Sequence, residues 1–482
     1  MEVRPLEASP DIISELNLEG FKAHLDSKVP LAPITLILGA NSAGKSSIFQ
    51  SILALKQSLL RGPNQFSDLL TDGPCVRLGM FGNVQHRHAP DQLVSIRATR
   101  SSGEQMSLTF EATGRDLRAG GDFLATDGAI RAINIEHGDA GALFDNWDRE
   151  VDAESKERTL VASVRWKGDR HADGNANVAI TFSLERESFV VSSPGRPEQE
   201  AAIRKLVSNA FYPFVWRIAG AAHIGPLRRA GLRAYDVVPS VLNEVGSTGE
   251  NLATILLRRD VLWRVNRYLG HLSLPFRIAA NRLPTLGHTI DLRVVDEKSG
   301  LSSGIQDVGF GVSQILPMLT QIALSSALFD ERRYENAGRF GTGTEAAQTA
   351  DANIPRQLIL MEQPELHLHP RLCVEFMRLL AGAHVRWKQD RNGAKPFVPR
   401  AQYLIETHSE TLVEAAQQLV RTGYLTPSDI CILSVEPDSS EQNRSVVRRI
   451  RLDDNGRFLD RWPRGFFTEH RELAFGDLPK PP

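Results

Sequence analysis

The chain has 482 residues, 41% of them hydrophobic and 24% charged, with a formal net charge of -2. That balance suits roughly two or three soluble domain-sized units, and it excludes both a chain-wide basic field for nucleic acid and the acidic excess of a disordered chain. Cys75, Cys373 and Cys431 stand alone without CxxC spacing, which argues against a disulfide framework or a structural zinc site. Residues 1–20 carry five acidic side chains and lack the order of a signal peptide. No apolar run reads as membrane-spanning, so the expected location is the cytoplasm.

Residues 13–24, ISELNLEGFKAH, alternate apolar and polar and predict a strand. Phe21 within it reads either as a core aromatic or as a neighbour of an adenine ring. Ile34 to Leu38 form a short apolar run that predicts a buried strand. Gly39, Ala40, Asn41, Ser42, Ala43, Gly44, Lys45 and Ser46 then match G-x-x-x-x-G-K-[ST] and, with Ser47, are the expected nucleotide-binding residues; a helix opening at Lys45 carries Ile48, Ile52, Leu55 and Leu59 on one face. This is a phosphate-binding loop in its required setting between strand and helix. Glycines let the backbone wrap so that its N–H groups point at phosphate, and the helix start adds the positive end of a dipole. Lys45 is expected on the β/γ oxygens and Ser46 on Mg²⁺.

From Val76 to Ala112 the pattern changes to short alternating strands, and a further set runs from 159 to 193, as expected of an antiparallel subdomain beside a P-loop core. Gln85 or His86 in FGNVQHRH is the nearest counterpart of a Gln-bearing coupling loop; a solvated loop is the other reading. Residues 201–270 turn helical without a sustained heptad. Arg228 in GPLR reads either as a contact to phosphate or a partner subunit, or as a surface ion pair. The segment 302–319 places Gly309 and Gly311 before Ser313 and a helical pattern, a second anion-binding device. Segments 330–355 and 386–400 read as surface loops.

Residues 356–370, RQLILMEQPELHLHP, begin with an apolar run typical of a parallel strand covered on both faces. Glu362 at its end is expected on the metal. Gln363 stands where a proton-accepting Glu is usual; its amide orients water but takes up no proton, so Glu365 becomes the candidate base. The spacing Glu365-x-His367-x-His369 also reads as a metal site if the segment is extended. Residues 401–412, AQYLIETHSETL, predict another buried strand with His408 at its tip and Thr407 with Glu410 at capping-box spacing. The C-terminal arginines 444, 448, 449, 451, 457, 461 and 464, with Trp462, Phe466 and Phe467, read either as a nucleic-acid surface or as a hairpin and tail packed on the core. Asp453-Asp454-Asn455-Gly456 is an expected turn.

The ordered set GANSAGKS, DVGFGVSQ, LILMEQPELHLHP and IETHSE resembles the ABC-type ATPase head of the OLD-like and SMC-like group. Within that group it resembles the small bacterial predicted ATPases with an EQPELHLHP Walker B region, AAA-type subunits of anti-phage defence systems. HIGPLRRAGLRAY, VGSTGENLATIL and RLDDNGRFLDRWPRGFF extend the likeness over most of the chain. The resemblance implies an α/β fold: an ABC-type P-loop NTPase head with a parallel core sheet, an antiparallel β subdomain and a helical insertion. The expected units are 1–112 and 301–435 for the ATPase core, 113–300 for the inserted lobe and 436–482 for a C-terminal extension. The resemblance also implies bound ATP and Mg²⁺ and a homodimer or higher homo-oligomer closed around ATP, with Gly309, Gly311 and Ser313 of one copy meeting the γ-phosphate held at Lys45 of the other. His408 becomes the switch histidine. OLD-like relatives often carry a C-terminal nuclease; too few residues follow the last core strand for one here, so a separately encoded effector such as a nuclease is the expected partner, with DNA as the alternative.

Overall fold

The computed structural model describes residues 11–60, 68–89, 91–117, 123–137, 140–151, 158–167, 174–183, 188–192, 212–238, 242–283, 288–340, 356–382, 400–438 and 444–462. In chain order the strands are β1 (Ile13–Phe21), β2 (His24–Pro30), β3 (Ile34–Gly39), β4 (Val94–Arg100), β5 (Gln105–Leu117), β6 (Phe123–His137), β7 (Ala140–Val151), β8 (Arg158–Lys167), β9 (Gly174–Ser183), β10 (Ser188–Ser192), β11 (Ala222–Ile224), β12 (Tyr235–Asp236), β13 (Phe276–Arg282), β14 (Thr289–Asp296), β15 (Ser302–Gly304), β16 (Gln357–Glu362), β17 (Ala401–Glu406), β18 (Ile430–Pro437) and β19 (Ser445–Ile450). The helices are α1 (Lys45–Leu59), α2 (Tyr212–Ala219), α3 (Leu252–Leu256), α4 (Arg259–His271), α5 (Phe310–Phe340), α6 (Pro370–Leu380) and α7 (Glu410–Arg421).

A six-stranded sheet in the order β11-β16-β17-β3-β18-β19 forms the centre. Its first five strands are parallel, and β19 adds antiparallel to β18. Successive side chains of a strand point to opposite faces, and here each face feeds a different core. Ile37, Leu358, Leu360, Leu404 and Leu433 enter one cluster with Ile48, Ile52, Leu55 and Leu59 of α1. Leu36, Leu38, Ile359, Met361, Ile405 and Ile432 enter the other, with α3 to α7. Burial on both faces is why β16 and β17 read as unbroken apolar runs. A nine-stranded antiparallel sheet has the order β10-β9-β8-β7-β6-β5-β4-β1-β2, and its strands β1, β2, β4, β5 and β6 contribute side chains to the first cluster. Phe21 is fully buried in that cluster, which decides for the core reading.

Four expectations change. The boundary at 112 falls inside β5, β11 from the 113–300 stretch belongs to the central sheet, and β18 runs across 435 into the tail. The insertion and the extension are therefore built into the same sheets as the core, because main-chain pairing recruits distant strands that carry no local mark. Residues 330–340 continue α5 and form no loop; 341–355 and 386–399 lie outside the described residues. The stretch Gly311–Arg332 is long and apolar enough to cross a membrane, contrary to the sequence reading, but 89% of its 18 most apolar consecutive residues are buried inside the protein as part of a core helix. The cap of α7 is Ser409, whose hydroxyl accepts from Leu412 N–H, two residues after Thr407.

A buried ion cluster ties the chain's first described residues to α2. The Asp11 carboxylate accepts from Arg100 Nε at 3.0 Å and Nη2 at 2.7 Å and also pairs with Arg217, which is 1% exposed. Burial opposes its charge, but the two guanidiniums outweigh that and hold the carboxyl below its ordinary value. A carboxylate with a depressed folded-state pKa contributes stability above its unfolded value and loses it as pH falls through the folded one. Asp11→Asn is accordingly expected to cost about 3–5 kcal/mol, the usual loss on breaking a buried pair. Calorimetric melting from neutral to acid pH checks this: the wild type should lose stability in acid, and the variant should lack that part of the loss.

Candidate nucleotide-binding site

The phosphate loop leaves β3 at the C-terminal edge of the central sheet and enters α1. Gly39 and Gly44 take φ of 146° and 99°, and Ser42 takes 62°. A Cβ at Gly39 would lie 2.1 Å from the Val435 carbonyl oxygen of the neighbouring strand, so only glycine fits there. Two loop carbonyls are tied from behind. The Ser445 hydroxyl donates to Ala43 O at 2.6 Å, and His24 Nε2 lies 3.0 Å from Gly44 O. A carbonyl only accepts, so Nε2 carries the proton and Nδ1 faces the Ser27 hydroxyl at 2.9 Å. Burial holds the His24 pKa below its ordinary value, which favours this neutral form. Ala43 N–H turns back onto Ala40 O at 3.3 Å, while Ala40, Asn41 and Ser42 are exposed.

Lys45 is buried and folds over its own loop, donating from Nζ to Gly39 O at 3.0 Å and Ala40 O at 2.8 Å. Ser46 donates to Glu406 Oε2 at 3.0 Å, and Glu406 Oε1 lies 3.8 Å from Lys45 Nζ. Register explains this contact: Glu406 at the tip of β17 stands beside Ile37 of β3 on one side and Glu362 of β16 on the other. Glu362, expected on the metal, bonds His223 Nε2 of β11 at 2.7 Å. Sequence reasoning missed Glu406 and His223. The signal for Glu406 was present, since it ends an apolar parallel run just as Glu362 does.

Beyond Glu362 the chain turns sharply. Gln363 and His367 hold positive φ of 45° and 63°, and turns close from Leu366 N to Gln363 O and from Leu368 N to Glu365 O. Alternate positions therefore share no face, and His369 caps α6 through Arg371 N–H, with Pro370 at the first helical position. The Glu-x-His-x-His metal reading loses its geometric premise. Gln363 N–H donates to Glu406 O at 2.7 Å, joining the tips of β16 and β17. Glu365 Oε1 accepts the His408 backbone N–H at 2.9 Å, while its Oε2 is buried with no protein partner. Arg228 is 5% exposed and bonds the carbonyls of Glu362 and Gln363 through Nη2, leaving Nε and Nη1 buried and unpartnered. It is no surface ion pair.

The electrostatics favour a polyanion. Burial lowers the pKa of Lys45 against the pull of Glu406 and brings Arg228 to about 10 against Glu365 and Glu362. His408 is lowered by burial and by Lys45, with Glu365 opposing. Burial raises Glu406, with Glu362 and Glu365 adding to the rise while Ser46 and Lys45 oppose it. Phosphate beside Lys45 and Arg228 would offset the desolvation of their charges, and a divalent cation would do the same for the carboxylates. A hydroxyl and carboxylates are hard oxygen donors, suited to Mg²⁺. Among the described residues no group of three or more His, Cys, Asp or Glu side chains forms a metal cluster. The Ser46 hydroxyl and the nearby carboxylates would supply only part of a Mg²⁺ coordination sphere, with substrate phosphates and water supplying the rest.

The second anion-binding device lies against this turn. Gln314 Nε2 donates to Arg228 O at 3.3 Å, and a Cβ at Gly311 would sit 3.4 Å from His367 O. Gly311 and Ser313 fall inside the first turn of α5. Gly309 is exposed, and a Cβ there would meet nothing within 4 Å. Gln85 and His86 are both buried, bonding Gln92 O and Lys22 O, so neither lies in a solvated loop. In the C-terminal hairpin Trp462 packs on Phe458 and Arg451 is held by Asp460, while Arg448 and Arg449 face solvent. The turn closes from Gly456 N–H to Asp453 O as expected. Arg464, Phe466 and Phe467 lie outside the described residues.

No protein-family model matches the sequence. Over 188 residues, 36% of this chain, it is 28% identical to the DNA double-strand break repair Rad50 ATPase of Archaeoglobus fulgidus, and the match spans 19% of that protein's length. Among solved structures it is similar to the SMC head domain from Thermotoga maritima, at 12% identity and a TM-score of 0.35 over 91% of this chain and 99% of that one. It is also similar to an Smc head bound to the C-winged helix domain of ScpA, at 11% identity and a TM-score of 0.38 over 92% of this chain and 98% of that one.

Proposed function

We propose that the chain is an ATP-binding and hydrolysing ABC-type ATPase, a nucleotide-gated switch that closes as a dimer around ATP and reopens on hydrolysis. One observation carries the reading. A phosphate loop with Lys45 and Ser46 faces the carboxylates at the tips of the adjacent parallel strands, across which phosphoryl transfer needs charge neutralisation and a held water. The Rad50 match supports the same chemistry.

The chain's own groups divide the work. Backbone N–H groups of the loop and the Lys45 ammonium neutralise the β- and γ-phosphates. Ser46 and the carboxylates beside it would hold Mg²⁺, which would offset charge on the phosphate oxygens. Glu365 offers Oε2, a buried acceptor with no protein partner, to the proton of an attacking water, while its Oε1 keeps His408 in place. Gln363 orients that water without taking its proton. Arg228 clamps the carbonyls of Glu362 and Gln363 and so holds the turn that carries Glu365. Gly309 of a second copy, with Gly311 and the buried Ser313 behind it in the first turn of α5, completes the γ-phosphate site.

The motifs EQPELHLHP and IETHSE support the OLD-like subgroup and hence control of a separately encoded effector in anti-phage defence. Direct work on DNA is the second reading, favoured by the Rad50 match and by exposed Arg448 and Arg449. The two part on whether the closed dimer captures a protein or a nucleic acid.

Gly309→Arg tests the dimer. The side chain at 309 enters open space in one copy, so folding and nucleotide binding should match wild type. It would occupy the position a partner's phosphate needs, so ATP-dependent dimerisation in sedimentation and hydrolysis should both be lost. A variant that still dimerises and hydrolyses ATP would remove this turn from the site.

A further inference from the structure

We propose that Glu406, rather than Glu362, is the carboxylate that shares the divalent cation with Ser46, and that in the nucleotide-free chain the same carboxylate holds Ser46 in the position Mg·ATP will use. The proposal rests on the ATPase reading and names a metal partner within its site. It follows from the order of strands. β17 lies between β16 and β3, so the tip of β17 stands one strand spacing, about 4.8 Å, from the loop's own strand, and the tip of β16 stands two. Glu406 and Glu362 are in register on neighbouring strands, and Glu406 is the nearer to Ser46 by a full strand.

The contacts agree with the spacing. Glu406 is 7% exposed, its Oε2 accepts the Ser46 hydroxyl proton at 3.0 Å, and its Oε1 is 3.8 Å from Lys45 Nζ. Glu362 uses Oε1 on His223 Nε2 at 2.7 Å, on the side away from β17. Its Oε1 has a partner there, and β17 lies between its strand and the strand that leads into the loop. The Gln363 N–H to Glu406 O bond at 2.7 Å fixes the backbone from which Glu406 projects. Mg²⁺ prefers one or two carboxylates together with substrate phosphates and water. Ser46 and Glu406 supply the protein's share.

Two consequences separate this arrangement from one built on Glu362. Without metal, Glu406 opposes the phosphates, because its negative charge occupies the place they approach. With metal, it becomes the anchor. The test measures binding of a fluorescent ATP analogue to the full chain, with Mg²⁺ and with EDTA, for wild type, Glu406→Gln and Glu362→Gln; Mn²⁺ bound with the analogue is read directly by electron paramagnetic resonance. Wild type should bind more tightly with Mg²⁺ than without. Glu406→Gln should lose that increment by tenfold or more, bind the metal-free analogue at least as tightly as wild type, and lose the ordered Mn²⁺ signal. Glu362→Gln should keep increment and signal. Loss of both in Glu362→Gln with retention in Glu406→Gln would overturn the proposal while leaving the ATPase reading intact, whereas no binding by wild type would overturn the ATPase reading itself. Melting without nucleotide identifies a folding defect in Glu406→Gln. Glu406→Asp then carries the test, because it keeps the charge one methylene farther back and should retain a weakened increment.

Discussion

Lys45→Ala is expected to lower ATP affinity by about 100-fold, with a melting temperature close to that of wild type. A hydrogen bond to a charged group contributes about 1.5–3 kcal/mol, and about 2.8 kcal/mol corresponds to that factor. The gain on binding is partly offset, because Nζ already donates to Gly39 O and Ala40 O and must leave them. Those two carbonyls belong to the loop's own turn and regain water when it opens, so the offset is smaller than the gain from phosphate. Burial adds to the expected effect: Lys45 carries its charge at a desolvation cost that only Glu406 opposes, and phosphate supplies a stronger counter-charge. The fold depends less on this side chain, since the loop is also braced by His24 and Ser445. Titration calorimetry with ATP, beside the same titration of Lys45→Arg, checks the point. Arg keeps the charge on a bulkier head that cannot tuck under Gly39 and Ala40, so it should recover little. Wild-type affinity in Lys45→Ala would mean that nucleotide binds elsewhere.

The parts of this site that were legible in the sequence are those whose physics is local. The phosphate loop needs a strand, glycines at left-handed positions, a lysine and a helix start within a dozen or so residues, and all of these are contiguous. Glu362 and His408 drew attention because the first ends a buried parallel strand and the second stands two residues past the end of another. The bracing of the loop was not legible. Ser445 meets Ala43 across 402 residues and His24 meets Gly44 across 20, and a lone Ser or His in a half-polar strand carries no sign of its partner. Glu406 was overlooked for another reason. Its motif drew attention to His408, although strand order puts the glutamate nearer the phosphate loop than Glu362, and strand order is a tertiary property. Boundaries failed in the same way: β5 and β18 run across positions where composition changes, because sheet pairing continues past the change.

Glu365→Gln is expected to reduce the rate of ATP hydrolysis by about 10²–10⁴-fold, the usual worth of a positioned proton acceptor, while leaving ATP affinity within a few-fold of wild type. The substitution is informative because the geometry splits the carboxylate into two functions. Oε1 accepts the His408 backbone N–H at 2.9 Å, and a glutamine carbonyl oxygen accepts the same bond, so the switch segment stays where it is. Oε2 is the buried oxygen without a protein partner, and an amide nitrogen in its place cannot take a proton from water. A purely structural role would therefore survive the change, and a proton-accepting role would not. The nucleotide-bound dimer should also persist longer in this variant, since closure needs only binding and reopening needs hydrolysis. Single-turnover hydrolysis measured together with sedimentation in ATP reads both quantities. The counterpart is Gln363→Glu, which restores an acceptor at the neighbouring position but projects it from a residue at φ of 45°, in a turn clamped by Arg228. Introduced into Glu365→Gln, it should not recover turnover. Wild-type rates in Glu365→Gln, or recovery in the double variant, would move the proton acceptor away from Glu365 and leave that residue as the support of His408.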